Sequence, residues 1–307
     1  MRIGMIGLGD IARKMYLPLL ATRSDAELVG VMSKSTETVA SVRRAYRVGG
    51  STHVDDLLAL EPDLVFIHAP TDAHHELVSA CLSAGIGVYV DKPLAPTLAQ
   101  CEDLAVQAAR AGTLLAVGFN RRFAPMYLRA RDWLADGGEL AYATMEKHRA
   151  GMYDQSPRQA VFDDLIHVLD TLCWLLGPAV ELSSSQLRID DSGRFTRAMG
   201  SLRAGRSDAT FAMVRASGAD TERLALHGSG RAAEISDLER GAFDVRESDQ
   251  QVATFGSWES VAQRRGFDAL VRHVLDCVGA PDRCEVGAER VLPTHRLAEA
   301  VTRAAGG

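Results

Sequence analysis

The chain contains an acid–histidine pair whose spacing suits proton transfer. Apolar residues in segment 162–176 recur at helical spacing, and Asp163 and His167 fall together on the opposite face of that predicted helix. The same stripe continues to Asp170 and Trp174. An imidazole flanked by carboxylates one turn away on either side is expected to hold its proton more firmly, which suits a general acid–base near neutral pH. The alternative is a solvated helix face, but such faces are usually rich in Lys, Glu and Arg, which this stripe lacks.

A lysine stands where a predicted strand ends. The strand covers residues 86–90 and leads directly into Asp91, Lys92 and Pro93. Ligands of open parallel sheets bind at the carboxyl ends of the strands, so this cation is expected to face the ligand. The alternative is an ordinary lysine in a surface loop.

A glycine-rich turn, reading Gly-Leu-Gly-Asp-Ile-Ala at residues 7–12, follows the first predicted strand and opens the first predicted helix. In this fingerprint the first glycine permits a tight turn, and the second lets the backbone approach a pyrophosphate. The alanine packs the helix against the strand. Free N–H groups at the helix start favour phosphate binding, although a plain strand-to-helix turn is the alternative. Asp10 is expected to turn its carboxylate away from the phosphates and cap the helix.

The residues after the second predicted strand bear on cofactor choice. The fingerprint expects an acid about 20 residues after the glycine turn, where it binds the ribose hydroxyls. Here the strand ends in Ser33, Lys34 and Ser35. Two hydroxyls and a cation suit a 2′-phosphate better than a free hydroxyl, so the sequence favours NADP over NAD. An ordinary polar turn is the alternative.

Alternating apolar runs and helical patterns predict a doubly wound parallel α/β domain over residues 1–119. Its predicted strands are 2–6, 26–32, 63–68, 86–90 and 113–118, and its predicted helices are 11–20, 36–46, 74–84 and 98–111.

After residue 119 the pattern changes to strands that follow one another without intervening helices, which predicts an α+β domain over residues 120–307 with a large, mainly antiparallel, open-faced sheet. The expected elements are a helix at 122–134, a strand at 139–148, the helix at 162–176, strands between 179 and 252, and helices at 257–278 and about 287–305. Packing of the last helix against the first domain is one option.

Composition excludes several classes of protein. The 307 residues are 47% hydrophobic and 24% charged, with a net charge of −6, which argues against a nucleic-acid surface. No apolar run reaches the length of about 18 residues that spans a membrane, and the N-terminus does not resemble a secretory signal, so a cytoplasmic protein is expected. The five cysteines lack C-x-x-C spacing, and His68, His74 and His75 lack a known ligand spacing, so no metal is expected.

Five motifs occur in order along the chain: the turn at 7–12; Ala69-Pro70 with His74; Asp91-Lys92-Pro93; Gly-Phe-Asn-Arg-Arg-Phe-Ala-Pro at 118–125; and Asp163, His167 and Asp170. Together they resemble the Gfo/Idh/MocA family of glucose–fructose oxidoreductases and inositol dehydrogenases over essentially the whole chain. Segments 90–94, 118–123, 146–149 and 163–167 resemble the MviM-type, virulence-factor-like branch most closely.

The resemblance implies hydride transfer between a nicotinamide and a carbinol or keto carbon of a sugar- or polyol-like substrate, with Lys92, Asp163 and His167 as catalytic residues that converge on one nicotinamide face. It also implies a homodimer or homotetramer built on the open sheet face, for which exposed apolar residues around Phe211 and Met213 are the expected sign. The predicted cofactor-binding residues are Gly7, Gly9, Asp10, Ile11, Ala12, Ser33, Lys34, Ser35, Ala69, Pro70, His74, Asp91, Lys92, Asn120 and Arg122.

Several points stay open at this stage. Asp91 replaces the glutamate usual in the family, and Leu165 replaces a glycine two residues before the histidine, which bears on the substrate class. On the strand around 146–149, either Glu146 and His148 or Lys147 and Arg149 line the cleft, Tyr153 is a further candidate, and Arg121 is a candidate surface charge. A dinucleotide-dependent sensor without catalysis and an NAD-assisted glycosidase are the alternative functions.

Overall fold

The computed structural model describes residues 1–303, which form two compact units: residues 1–119 with 270–292, and residues 120–269 with 293–303. The last two residues of the predicted helix at about 287–305, and the predicted domain end at 307, lie outside the described residues.

The strands and helices of the described chain are numbered in sequence order. The strands are β1 (Arg2–Ile6), β2 (Glu27–Met32), β3 (Gly49–Ser51), β4 (Leu64–Ile67), β5 (Gly87–Val90), β6 (Leu115–Val117), β7 (Tyr142–His148), β8 (Glu181–Ile189), β9 (Phe195–Ala204), β10 (Ser207–Val214), β11 (Thr221–Gly228), β12 (Arg231–Ser236), β13 (Arg240–Val245) and β14 (Gln251–Thr254). The α-helices are α1 (Leu17–Ala21), α2 (Thr36–Tyr46), α3 (Val54–Leu58), α4 (His74–Ser83), α5 (Leu98–Ala111), α6 (Pro125–Ala135), α7 (Pro157–Ala160), α8 (Ile166–Leu176), α9 (Val261–Arg264), α10 (Phe267–Cys277) and α11 (Ala288–Arg303).

The first unit is built on a parallel sheet with the strand order β3-β2-β1-β4-β5-β6 within the described residues. Every residue of β4 and β5 is buried, as expected for strands covered by helices on both faces. The order reverses between β1 and β4, and the crevice outside the carboxyl ends at such a switch point is where ligands bind in these sheets. The predicted doubly wound fold is confirmed.

The second unit contains an eight-stranded sheet with the order β14-β13-β12-β11-β7-β10-β9-β8 among the described residues. In the part of the chain that the structure describes, only the β7–β10 pair of this sheet is parallel; the other neighbouring strands are antiparallel. Helix α6 packs against β11–β13, and α8 packs against β7 and β10. The predicted mainly antiparallel sheet is confirmed.

The prediction of exposed apolar residues around Phe211 and Met213 is wrong for these two residues themselves. Both point toward the buried face of the sheet, with 2% and 0% exposure. Side chains alternate along a strand, so the opposite face carries their neighbours. Val214, Met199 and Tyr142 are exposed apolar residues on that face near β10.

Two further differences concern local elements. The short strand β3 and helix α3 were not predicted, because three to five residues are too few to show a periodic pattern. The helix predicted over 257–278 is divided into α9 and α10 by Gly266, whose φ is +80° and whose missing Cβ would lie 2.6 Å from Ala124 N. A left-handed glycine in such a close approach ends one helix and starts the next.

In the described part of the chain, none of the helices combines the length and the apolar character that crossing a bilayer demands.

Candidate active site

The glycine turn has the conformation that a dinucleotide site needs. Gly7 has a φ of +84°, and a Cβ there would lie 2.5 Å from Ala69 N, so another side chain is excluded on both counts. By contrast, a Cβ on Gly9 would have no atom of residues 1–303 within 4 Å. Gly9 therefore faces open space at the end of β1, and a phosphate group can approach its backbone closely.

The helix that follows begins with a π-helical segment, Ala12–Tyr16, and continues as α1. Ala12 is fully buried, as its predicted packing role requires, whereas Ile11 is exposed. Asp10 does not cap the helix; its carboxylate accepts a hydrogen bond from Lys14 Nζ at 2.7 Å. This bond lowers the pKa of the exposed Asp10 carboxyl. The carboxylate is thus neutralised by a cation on its own helix, which leaves the helix start acceptable to an anion.

The three residues after β2 are arranged around the start of α2. Ser35 is the N-cap residue, and its side chain accepts a hydrogen bond from Thr38 N at 3.2 Å. Lys34 is exposed, and Ser33 is partly exposed. The serine hydroxyl at the cap is therefore engaged in the helix, while the Lys34 ammonium is the accessible charged group of the three.

Buried polar residues connect the ends of β4 and β5. His68 Nδ1 lies 2.8 Å from Asp91 Oδ2, and the imidazole packs against the ring of Tyr16 at a tilt of 32°, with centroids 4.2 Å apart. The hydroxyl of Tyr16 hydrogen-bonds to that of Tyr89. Burial raises the pKa of both phenols well above the usual value. The contact with His68 thereby fixes Asp91 beside Lys92. In the sequence, His68 was considered only as a metal ligand, and that role was rejected.

His74 links the same two strand ends. Its Nδ1 lies 2.8 Å from Pro93 O, and its Nε2 lies 2.9 Å from Ala69 O. The ring is buried, and burial lowers the pKa of the imidazole, although the two carbonyl oxygens oppose this shift. The His74 side chain thus holds together the segments around Pro70 and Lys92. Pro70 is exposed and Lys92 is partly exposed. Contact of His74 with a cofactor stays a prediction.

In the second unit, a 3₁₀ turn at Asn120–Phe123 holds three buried polar residues. Arg122 makes two hydrogen bonds to the carboxylate of Asp170, at 3.0 and 2.6 Å, and Asn120 Nδ2 donates to Arg265 O at 2.7 Å. Arg121 is not a surface charge: it is buried and makes two hydrogen bonds to Glu222. These contacts hold the fold together, and cofactor contacts of Asn120 and Arg122 stay predictions.

The predicted acid–histidine stripe is only partly present. Residues Val161–Leu165 form a π-helical turn before α8, and the wider turn shifts the angular position of the residues before His167. Asp163 is exposed and accepts a hydrogen bond from Gln155 Nε2 at 3.0 Å, and His167 is partly exposed. Asp170, in contrast, is 1% exposed because it pairs with Arg122. Asp170, which helical spacing places one turn from His167, is therefore committed to an ion pair with Arg122.

The neighbour of Asp163 has an unpredicted role. Asp164 is buried and forms ion pairs with Lys147, with Arg149 at 2.9 Å and with Arg215 at 2.9 Å. Burial by itself would raise the pKa of Asp164, but the hydrogen bonds and charges of Arg149 and Lys147 outweigh it and hold the pKa well below its usual range. These bonds attach the turn that carries Asp163, and that leads into α8 with His167, to the sheet.

This network decides the orientation of the strand around 146–149. Lys147 is buried on the α8 side with Asp164, whereas Glu146 and His148 lie on the opposite face, where His148 Nδ1 accepts a hydrogen bond from Val214 N. Arg215 also donates to Gln155 Oε1 at 3.0 Å and lies over the ring of Tyr153. Gln155 thus connects the buried network to Asp163. The only sequence signal for this buried network is the pair of consecutive acids, Asp163 and Asp164.

Comparisons with known proteins agree with this architecture. A model described as an oxidoreductase family with an NAD-binding Rossmann fold matches residues 1–119, and one described as a YceM-like C-terminal domain matches residues 125–245. A protein of Salmonella typhimurium that carries the name oxidoreductase YceM is 35% identical over 308 residues, which cover 99% of this chain and 97% of YceM. The chain belongs to the Gfo/Idh/MocA oxidoreductase family.

Two other relatives extend the comparison. The crystal structure of the dehydrogenase MviM from Clostridium difficile has a TM-score of 0.92 at 28% identity and covers 98% of both chains. A protein of Amycolatopsis mediterranei that carries the name of a UDP-kanosamine synthase oxidoreductase subunit is 30% identical over 297 residues, 93% of this chain and 76% of that protein. The predicted resemblance to the family and to its MviM-like branch is confirmed, and the protein is an NAD(P)-binding oxidoreductase.

Proposed function

We propose that the protein transfers a hydride between a nicotinamide and the carbinol or keto carbon of a sugar- or polyol-like substrate. The observation that carries this proposal is the glycine turn at the switch point of the parallel sheet, in a chain that belongs to an oxidoreductase family. The name of the Amycolatopsis mediterranei relative, which refers to a UDP-linked sugar, supports a sugar-like substrate.

The residues of the first unit fit a dinucleotide. Gly7 brings the backbone of the turn against Ala69, and Gly9 leaves open space beside the helix start, so the turn can hold a pyrophosphate. Lys34 is placed after β2, where the ribose of a dinucleotide lies in this fold. When bound, the nicotinamide supplies or accepts the hydride, and the protein supplies orientation and proton handling.

The proton is proposed to be handled by His167. Acting as a general base, the imidazole takes the proton of the substrate hydroxyl when the carbinol is oxidised, and it returns the proton in the reverse direction. Lys92 provides positive charge that stabilises the alkoxide. Asp163 is exposed and oriented by Gln155, so it can accept a hydrogen bond from the substrate or orient His167.

A substrate panel tests this function. Wild-type protein is incubated with sugars, amino sugars and inositols in the presence of oxidised or reduced cofactor, and the nicotinamide absorbance is recorded. A change that depends on both substrate and protein supports hydride transfer. Ligand-dependent thermal stabilisation without any absorbance change across the panel would favour a sensor. Release of an aglycone without accumulation of reduced cofactor would favour the glycosidase.

Cofactor preference is predicted to follow Lys34. We propose that the protein binds NADP(H) more tightly than NAD(H), because the exposed ammonium can contact the 2′-phosphate. Lys34→Asp should weaken NADP(H) binding by about tenfold to hundredfold, the range for a hydrogen bond to a charged group, and so erase or invert the preference. Fluorescence titration of both cofactors measures this. Arg110→Asp, the same charge change on the surface of α5, should leave the preference unaltered, and a wild-type preference for NAD would refute the assignment.

We further propose a homodimer or homotetramer built on the sheet face that carries Met199, Val214 and Tyr142, which are 46%, 36% and 38% exposed. Apolar residues on one face of a broad sheet favour association. Met199→Glu is expected to shift the protein toward monomer in light scattering at micromolar concentration. Val106→Glu places the same charge at an exposed apolar position of α5 and should not change the mass. A monomeric wild-type protein would contradict the proposal.

A further inference from the structure

A second cluster of reactive side chains lies in the first unit, at the end of α10. His273 and Cys277 are one helical turn apart, and Cys284 follows the short 3₁₀ turn Pro281–Arg283. One ring nitrogen of His273 and the two sulfur atoms all lie within 4.8 Å of one another. Both cysteines are buried, at 3% and 1% exposure, while His273 is partly exposed. Three groups that commonly bind metal ions therefore face one point.

The distances are close to those of a tetrahedral metal site. His273 Nε2 and Cys277 Sγ are 3.7 Å apart. In a tetrahedral zinc site, bond lengths of about 2.0–2.1 Å to nitrogen and about 2.3 Å to sulfur place such a pair about 3.6 Å apart. The position of Cys284 within 4.8 Å of both atoms requires only a small inward movement to complete three corners.

The protonation state of the His273 imidazole also suits metal binding. His273 Nε2 accepts a hydrogen bond from Glu285 N at 2.9 Å, so this nitrogen carries the lone pair and the proton is on Nδ1. A neutral imidazole with its lone pair on the nitrogen nearest the sulfur atoms is the form that binds metals. Binding would exchange one backbone hydrogen bond for a metal–nitrogen bond, with the Glu285 amide turning away.

A route for a cation also exists. Cys284 lines an open cavity of about 440 Å³, together with Pro281, Asp282 and Arg290. The buried sulfur is therefore adjacent to a solvent-connected space, and a water molecule in that space can provide a fourth ligand.

We propose that His273, Cys277 and Cys284 bind a divalent cation of the zinc class. Binding forms one metal–nitrogen and two metal–sulfur bonds and releases two thiol protons, so the dipositive ion and two thiolates are neutral together. The ion would connect the end of α10 to the segment before α11. This proposal departs from the prediction that no metal is bound, which rested on the absence of C-x-x-C spacing; the H-x3-C-x6-C spacing also matches no familiar zinc motif. The 3₁₀ turn brings Cys284 to the helix end.

Cobalt titration tests the site in the full-length protein. The reduced, metal-free protein is titrated with Co²⁺, whose d–d absorption reports tetrahedral geometry and whose charge-transfer absorption reports thiolate ligands. We expect about one Co²⁺ per chain, displaced by Zn²⁺, with loss of these bands in Cys277→Ser and Cys284→Ser. Cys81→Ser, which alters a buried cysteine on α4, is the matched control and should keep them.

The outcomes separate clearly. Absence of thiolate bands in wild-type protein, or bands that survive in both cysteine variants, would overturn the site. A Cys277–Cys284 disulfide in the purified protein, with no metal uptake after reduction, would do so as well. Where circular dichroism shows that a serine variant does not fold, His273→Ala replaces it, and loss of the tetrahedral spectrum in that folded variant supports the site. None of these readouts depends on catalysis, so they stand apart from the proposed hydride transfer.

Discussion

Turnover of the His167→Ala variant is expected to fall by about 10²–10⁴-fold, the usual loss when a general acid–base is removed. The imidazole is proposed to carry the proton of the reacting hydroxyl, and no other histidine is proposed for that role. The measurement is the rate of nicotinamide absorbance change with the substrate found in the panel. His53→Ala, at an exposed histidine of the first unit, is the control and should retain full activity.

Lys92→Ala is expected to lower turnover strongly as well, because the alkoxide loses its stabilising charge. In both variants, cofactor affinity measured by fluorescence should be nearly unchanged, since the pyrophosphate is assigned to the glycine turn. A packing role predicts the reverse result: a lower free energy of unfolding with nearly normal turnover per folded molecule. That outcome for His167 would remove the residue from the mechanism.

The fold was predictable because its signals are local. The predicted strands of the first unit are short apolar runs next to turns, whereas the Gly-Gly-Ser strand β3 has no such signal. The β1–helix junction carries a glycine that the backbone requires, with a φ of +84° at Gly7. The buried ends of β4 and β5 follow from their continuous apolar sequence. Gly266 shows where local signals fail to predict the fold. Its close contact with Ala124 joins residues that are 142 positions apart along the chain.

The site was less predictable because its charged groups are paired over long distances in sequence. Asp170 reads as a partner of His167 at helical spacing, yet its ion pair is with Arg122, 48 residues earlier. Phe211 and Met213 alternate correctly along β10, but alternation alone does not say which face the helices cover. Side-chain types therefore suggested which residues could transfer a proton. Only the folded chain determines which charged groups are paired in ion pairs that stabilise the fold.

The consecutive acids Asp163 and Asp164 allow this distinction to be tested within one turn of the chain. Asp164→Asn removes the negative charge that three buried or partly buried cations share, Lys147, Arg149 and Arg215. Leaving buried charges without their partner costs about 3–5 kcal/mol, so the free energy of unfolding should fall by that amount. Denaturant titration at neutral pH measures it.

Asp163→Asn is the matched control, because it makes the same chemical change one residue earlier. Asp163 is exposed and bonded to Gln155, so its replacement should alter the free energy of unfolding by less than about 0.5 kcal/mol, as is usual for surface positions. If Asp163 contacts the substrate or orients His167, its variant should instead lose turnover while remaining as stable as wild type. Equal destabilisation by the two variants would show that the buried network does not depend on Asp164 in particular. A stable Asp164→Asn protein would mean that the three cations are satisfied without it, through partners such as Asp220, which contacts Arg149, and Gln155, which contacts Arg215.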